Sequence, residues 1–63
     1  MSLRTLRALL PMCEVLWYQS TLTPAGLLSG WYAKTARGDL VRLGFDLDAA
    51  VAEATRLGPS FGA

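Results

Sequence analysis

The apolar residues Leu3, Leu6, Leu10, Cys13 and Trp17 fall 3, 4, 3 and 4 positions apart, the seam spacing of a helix that packs along one stripe. Pro11 sits inside that seam, where it removes the hydrogen bond to the Arg7 carbonyl and costs roughly 3 kcal/mol in a regular helix. A short first turn ending near Leu10, with a new helix begun by Pro11, is one solution. The unbroken stripe favours the other, a single helix over residues 3–19 kinked at Pro11. Thr23-Pro24 then has the order of an N-cap followed by a first helical residue, which predicts a second helix. On its wheel Leu27, Leu28, Trp31 and Tyr32 share one side, while Gly26, Ser29, Gly30 and Ala33 share the other and would let another backbone come close, as small-xxx-small patterns do.

Lys34 and Arg37 complement the end of that helix and Gly38 stops it. Leu40-Val-Arg-Leu43 is one more apolar turn, closed by Gly44. Phe45-Asp46 has the order of a hydrophobic staple and N-cap, with Ala50 or Val51 as the residue for Phe45 to pack on. The third helix is the clearest: Leu47, Ala50, Val51, Ala54 and Leu57 share a face, Asp48 lies in the first turn, Arg56 in the last, and Gly58-Pro59 ends it. The pattern as a whole predicts an all-α fold, a small helical hairpin with its first helix kinked at Pro11 plus a third amphipathic helix. It makes one small helical interaction domain over residues 1–63, with 59–63 a frayed tail unless Phe61 docks.

Charge sharpens this picture. Residues 15–33 carry no formal charge and lie between Glu14 and Lys34; the two Trp and two Tyr of the chain all fall in this stretch, as Trp17-Tyr18 and Trp31-Tyr32. The motif Trp-Tyr-x-x-Thr occurs at 17–21 and again at 31–35, so both aromatic pairs are expected at the ends of similar helical segments, on a common surface. Overall the charged fraction is 17% and the hydrophobic fraction 52%, against a charged share of about 25% in typical soluble domains. In 63 residues a core alone rarely supplies more than about 3–5 kcal/mol. The single cysteine rules out an internal disulfide, and with no histidine the usual zinc ligand sets are missing. Support from another protein or from self-association is the remaining expectation, with no metal and no cofactor.

Candidate chemistry narrows the function further. Cys13 has no imidazole to make it a thiolate and Asp46 and Asp48 suit a helix start, so no enzymatic activity is expected. Arg37-Gly38-Asp39 matches an integrin-recognition tripeptide but is accounted for as a helix stop followed by a helix start. The run Arg42-Leu-Gly-Phe-Asp-Leu-Asp48 resembles the R-L-G-F-S-L-D run of MerR-type regulators, which implies a helix-turn-helix regulator or a protein that binds one. A net charge of +1 and the acids Asp48 and Glu53 on the would-be recognition helix give no expectation of nucleic-acid binding. The basic, apolar start ending in Cys13 is interrupted by Pro11 and has bulky Met12 before the cysteine, so it reads as mature sequence; a lone cysteine then points to a reducing compartment, the cytoplasm. The charge-free stretch approaches the roughly twenty residues of a membrane span. Gln19, Ser20, Thr21, Thr23 and Pro24 in its middle disfavour spanning, leaving a peripheral helix or small membrane-associated subunit as the second reading.

The favoured expectation is a non-catalytic protein–protein interaction module, such as an accessory subunit, adaptor or small inhibitor. It would bind through helix faces anchored by Trp17, Tyr18, Leu28, Trp31 and Tyr32, with Gly26 and Gly30 at the place of closest approach. Core and interface are both open for Trp17, Leu28 and Trp31, because a small core needs its large side chains. Leu, Ala, Arg and Gly usage suggests a high-GC bacterium or its phage.

Overall fold

The structure, a computed structural model, describes residues 2–63; Met1, which opens the stretch weighed above as a leader, lies outside them. The chain folds in the order α1 (Leu3–Leu9), β1 (Cys13–Thr23), β2 (Gly26–Thr35), β3 (Leu40–Gly44) and α2 (Leu47–Leu57). The strands form one antiparallel sheet in the order β1-β2-β3. This is an α+β fold, and the all-α expectation is overturned: two helices stand among the described residues where three were expected, and 42% of those residues are strand.

Pro11 ends the first helix instead of kinking it. Ser2 caps its start by accepting from the Thr5 N–H at 3.3 Å, and the chain leaves the helix at Leu10. Only Leu3 and Leu6 of the five-residue stripe lie in α1; Cys13 and Trp17 belong to β1. The residues beyond Pro11 are Val15, Trp17, Tyr18, Thr21 and Thr23, side chains that fit a pleated surface better than a helix. Thr23-Pro24-Ala25-Gly26 is a hairpin turn, not a helix start. Thr23 pairs with Gly26, the Thr23 hydroxyl donates to the Gly26 carbonyl at 2.7 Å, and Gly26 takes φ +123°, where glycine is favoured. Proline supplies the same φ near −65° to the second residue of a turn as to the first residue of a helix.

Below the turn, β1 and β2 run in register from Thr23↔Gly26 through Leu16↔Ala33 to Val15↔Lys34, and a bulge at Glu14 brings Cys13 opposite Thr35. Strand β3 pairs only with the lower half of β2, from Lys34↔Leu40 to Trp31↔Gly44, with Leu43 as the extra residue of a second bulge. Arg37-Gly38-Asp39 makes the turn into β3, so it neither stops nor starts a helix. Thr35, 2% exposed, closes this turn: its hydroxyl accepts from the Asp39 N–H at 3.2 Å, and its backbone N–H donates to the Asp39 carbonyl at 3.0 Å. The MerR-like run spans a strand end, a turn and a helix start, so no helix-turn-helix is formed.

Both helices lie on one sheet face. The core consists of Leu6 and Leu10 from the α1 side, Leu16, Ala33 and Leu43 from the sheet, and Ala50, Val51 and Ala54 from α2. Helix α2 follows its expected bounds: Asp46 caps it by accepting from the Ala49 N–H at 2.8 Å, and Gly58 ends it with φ +88°. Phe45 stays 66% exposed instead of stapling that helix, whereas Phe61 of the tail packs on the core. Gly44 sets how near α2 can lie, because a Cβ there would meet the Ala49 Cβ at 2.7 Å and the Ala50 nitrogen at 2.9 Å. Overpacking of this kind costs about 1–3 kcal/mol. Gly44→Ala is therefore expected to lower the melting temperature by roughly 5–15 °C in a thermal denaturation scan; an unchanged melt would show that α2 does not rest on that glycine.

Candidate functional site

Alternation along the strands divides the charge-free stretch between two faces. Leu16, Tyr18, Ser20 and Leu22 of β1 share the helix side with Ala33, Trp31, Ser29 and Leu27 of β2, their cross-strand partners. Trp17, Gln19 and Thr21 share the outer side with Tyr32, Gly30 and Leu28. The two Trp-Tyr dipeptides thus face each other across the hairpin, and each sends one ring to either side. They do not form the common surface expected from their repeat.

On the outer side Trp17 and Tyr32 are stacked, with ring centroids 5.7 Å apart and an interplanar angle of 20°. The Trp17 indole N–H donates to Gln19 Oε1 at 3.0 Å, and Gln19 Nε2 donates to Thr21 Oγ1 at 3.0 Å, which ties the outer row of β1 together. On the helix side Tyr18 meets Trp31 edge-on, centroids 5.5 Å apart. Trp31 leans on the core while Tyr18 remains 51% exposed. Two rungs higher, on the same face, the Ser20 and Ser29 hydroxyls share a hydrogen bond of 2.8 Å.

Arg42 lies across Gly30 on the outer side and donates from Nη2 to the Ser29 carbonyl at 2.8 Å. A Cβ on Gly30 would meet Arg42 Nε at 2.8 Å and the Gly44 carbonyl oxygen at 2.9 Å. Gly30 is thus a place of close approach, as expected, but the approaching groups belong to this chain. Gly26 is at the tip, with open space where a Cβ would stand. The helix carrying both glycines on one face does not exist.

The helices cover only the lower sheet. Above the aromatic rungs only the Arg42 side chain reaches the hairpin, and its tip stands free, with Leu22 82%, Leu27 68% and Leu28 47% exposed. Of the expected anchors, Tyr18 and Leu28 are surface residues, while Trp17, Trp31 and Tyr32 are half-buried. Leu22 and Leu27, neither of them among the expected anchors, are the most exposed of these leucines, and their symmetric places about the Pro24-Ala25 turn carried that signal. No cavity opens among the described residues, and no three of their His, Cys, Asp and Glu side chains are grouped as metal ligands would be. No helix among them is long and apolar enough to cross a membrane. No protein family, curated protein or solved structure matches this chain.

Cys13 lies at the foot of the sheet, its thiol 4.0 Å from the Phe61 carbonyl, and desolvation by burial pushes its pKa up. Folding therefore favours the neutral thiol. Stability should fall as pH rises from the ordinary thiol range towards the raised value in the folded protein, since the unfolded chain ionises first. Alkylation of Cys13 by iodoacetamide at pH 8 is expected to be slower in the folded protein than in urea; equal rates would remove this protection. A double-mutant cycle of Trp17→Ala and Tyr32→Ala is expected to show a coupling of about 0.5–1.5 kcal/mol in urea unfolding, and additive effects would mean that the stack contributes no more than its buried area.

Proposed function

We propose that the chain is a non-catalytic association module, an accessory subunit, adaptor or small inhibitor, which binds through the free half of its β-hairpin. The carrying observation is the exposure of Tyr18, Leu22 and Leu27 on the helix side, at 51, 82 and 68%, with Leu28 47% exposed on the outer side of the same charge-free ribbon, whose upper half the helices leave uncovered. Exposed apolar groups on such a ribbon mark interaction surfaces, and fully burying a leucine from full exposure is worth roughly 1.5–3 kcal/mol, of which Leu22 has most still to gain. The thin core supports the same reading. Leu6 and Leu10 are its largest fully buried side chains and three of its members are alanines, while the free hairpin holds apolar side chains back from it. Cys13, the lone cysteine, supports a reducing compartment such as the cytoplasm as the place of action.

A lipid surface is the second reading, favoured by the order of residues along the hairpin. Leucines occupy the rungs nearest the tip, Trp and Tyr the rungs beyond Ser20↔Ser29 and Gln19↔Gly30, and Lys34 the outer face past them, the order of an interfacial anchor. Against it, a two-stranded ribbon would carry open edges into the hydrocarbon.

Leu27→Lys tests the first reading with little effect on the fold, because the side chain is mostly exposed. In affinity capture from the native host, partners bound by the wild type are expected to fall at least tenfold with the variant. Equal capture by a folded variant would sink the proposal, and co-sedimentation of the wild type with liposomes in high salt would favour the lipid surface instead.

A further inference from the structure

The two edges of the sheet are managed differently. On the β3 side the edge strand has five residues, Arg42 reaches over to the Ser29 carbonyl, and the bulge at Leu43 interrupts the ladder. These are the usual protections against unwanted strand pairing. On the β1 side the edge strand has eleven residues. From Val15 to Thr23 it contains no charge and no proline, and its bulge at Glu14 is confined to one end.

The backbone groups that face this edge can be identified. In an antiparallel pair, alternate residues turn both N–H and C=O to the partner strand, and those between turn both away. The Ser29 carbonyl accepts from Arg42 on the far side of β2, so the Ser29↔Ser20 rung directs its backbone groups outward on both strands. By alternation the rungs of Leu16, Tyr18 and Leu22 do the same. None of the four N–H groups of Leu16, Tyr18, Ser20 and Leu22 finds a turn, loop or side-chain acceptor among the described residues.

Building on the proposed role of the hairpin in association, we infer that β1 pairs antiparallel with β1 of a second copy of this chain, giving a six-stranded sheet centred on Gln19 opposite Gln19. In this register Leu16 faces Leu22 of the copy and Tyr18 faces Ser20, so all eight free N–H and C=O groups of each chain's four residues meet a complement. Sliding by two residues one way sets Leu16 against Pro24, which has no N–H; sliding the other way sets Leu22 against the bulged Glu14. The side chains agree with the register. Leu22, 82% exposed, comes beside Leu16 of the copy on the helix side, and Trp17 comes beside Thr21 on the outer side. Charge does not oppose it: the two Glu14 residues are ten rungs apart, roughly 33 Å at the strand rise, well beyond the Debye length of about 8–10 Å. An edge junction of this length falls at the low end of interface sizes, below about 1,200 Å² in total, the class of weak, transient contacts.

Sedimentation equilibrium of the full chain, from low micromolar to hundreds of micromolar, combined with amide hydrogen exchange by NMR, tests this. The expected result is a dimer mass at the upper concentrations. The amides of Leu16, Tyr18, Ser20 and Leu22 should slow at least tenfold there and lose that protection on dilution, while those of Trp17, Gln19 and Thr21 are protected throughout. Leu22→Lys should raise the dimer dissociation constant at least tenfold and Leu27→Lys should leave it within about threefold, because Leu27 is not on the edge strand; these factors correspond to about 1.4 and 0.6 kcal/mol. Ser20→Pro removes one edge N–H that β2 does not use and should also give a monomer; if that variant fails to fold, Leu22→Lys decides. A wild type that stays monomeric, a dimer without the alternating protection, or a dimer indifferent to Leu22→Lys overturns the inference. If a monomeric wild type still loses host partners on Leu27→Lys, only the inference fails; if it loses none, the association reading fails with it.

Discussion

The pairing of Trp17 with Tyr32 and of Tyr18 with Trp31 joins the two halves of this protein. Below it, Leu16 and Ala33 belong to the core under the helices; above it, the hairpin has no support beyond its own strands and the Arg42 side chain, which donates to the Ser29 carbonyl. An isolated two-stranded hairpin is marginal in water. The four rings supply what the ribbon lacks at the level where helix cover ends, since cross-strand aromatic pairs add about 0.5–1.5 kcal/mol beyond the area they bury. They also fix register, because a slip of one residue would exchange the faces of every side chain. Trp31 passes this order downward by leaning on the core, and Gln19 passes it upward through hydrogen bonds to Trp17 and Thr21.

Helix α2 was legible in the sequence because independent signals coincided: the Asp46 cap, the 3.6-residue apolar period from Leu47 to Leu57, and the Gly58-Pro59 stop. The strands were not, and the causes are particular. The 3-4-3-4 stripe from Leu3 to Trp17 crosses the boundary between a real helix and a real strand, so its period carries no meaning beyond Leu10. Thr23-Pro24 satisfies the demands of a helix start and of a hairpin turn equally well, and only Gly26 at the fourth place of the turn separates them. The small residues Gly26, Ser29, Gly30 and Ala33 look like one helical face, yet period 2 sends Ser29 and Ala33 to the helix side and the two glycines to the outer side. Against these, the β-branched and aromatic content of residues 15–23 was the signal to weigh, since helical stability comes mostly from packing and propensity is a weak prior. Of the candidate site, the charge-free stretch and its aromatic pairs were visible. The placing of one ring from each pair on either face needed the antiparallel register.

The core explains why so much apolar surface lies elsewhere. Two short helices can shield only one end of a sheet whose longest strand has eleven residues, and Gly44 brings α2 so near β3 that alanines suffice to fill the space between. Close packing of small residues gains contact but little buried area. Leu22, Leu27 and Leu28 could not join that core without bending the hairpin back over the helices, which would forfeit the register that its aromatic rungs maintain.

Strand parity connects the free edge to the free face. The β1 residues whose backbone groups point away from β2 are the same ones whose side chains point to the helix side: Leu16, Tyr18, Ser20 and Leu22. A strand added at this edge would therefore satisfy backbone groups and place its own side chains beside Leu16, continuing the core sideways. Leu16 is already 7% exposed and needs no cover, whereas Tyr18 and Leu22 do. The gain from such a strand rises towards the hairpin tip, where intramolecular packing is thinnest. The same strand direction that keeps Leu22 out of this molecule's core thus holds it ready for another's.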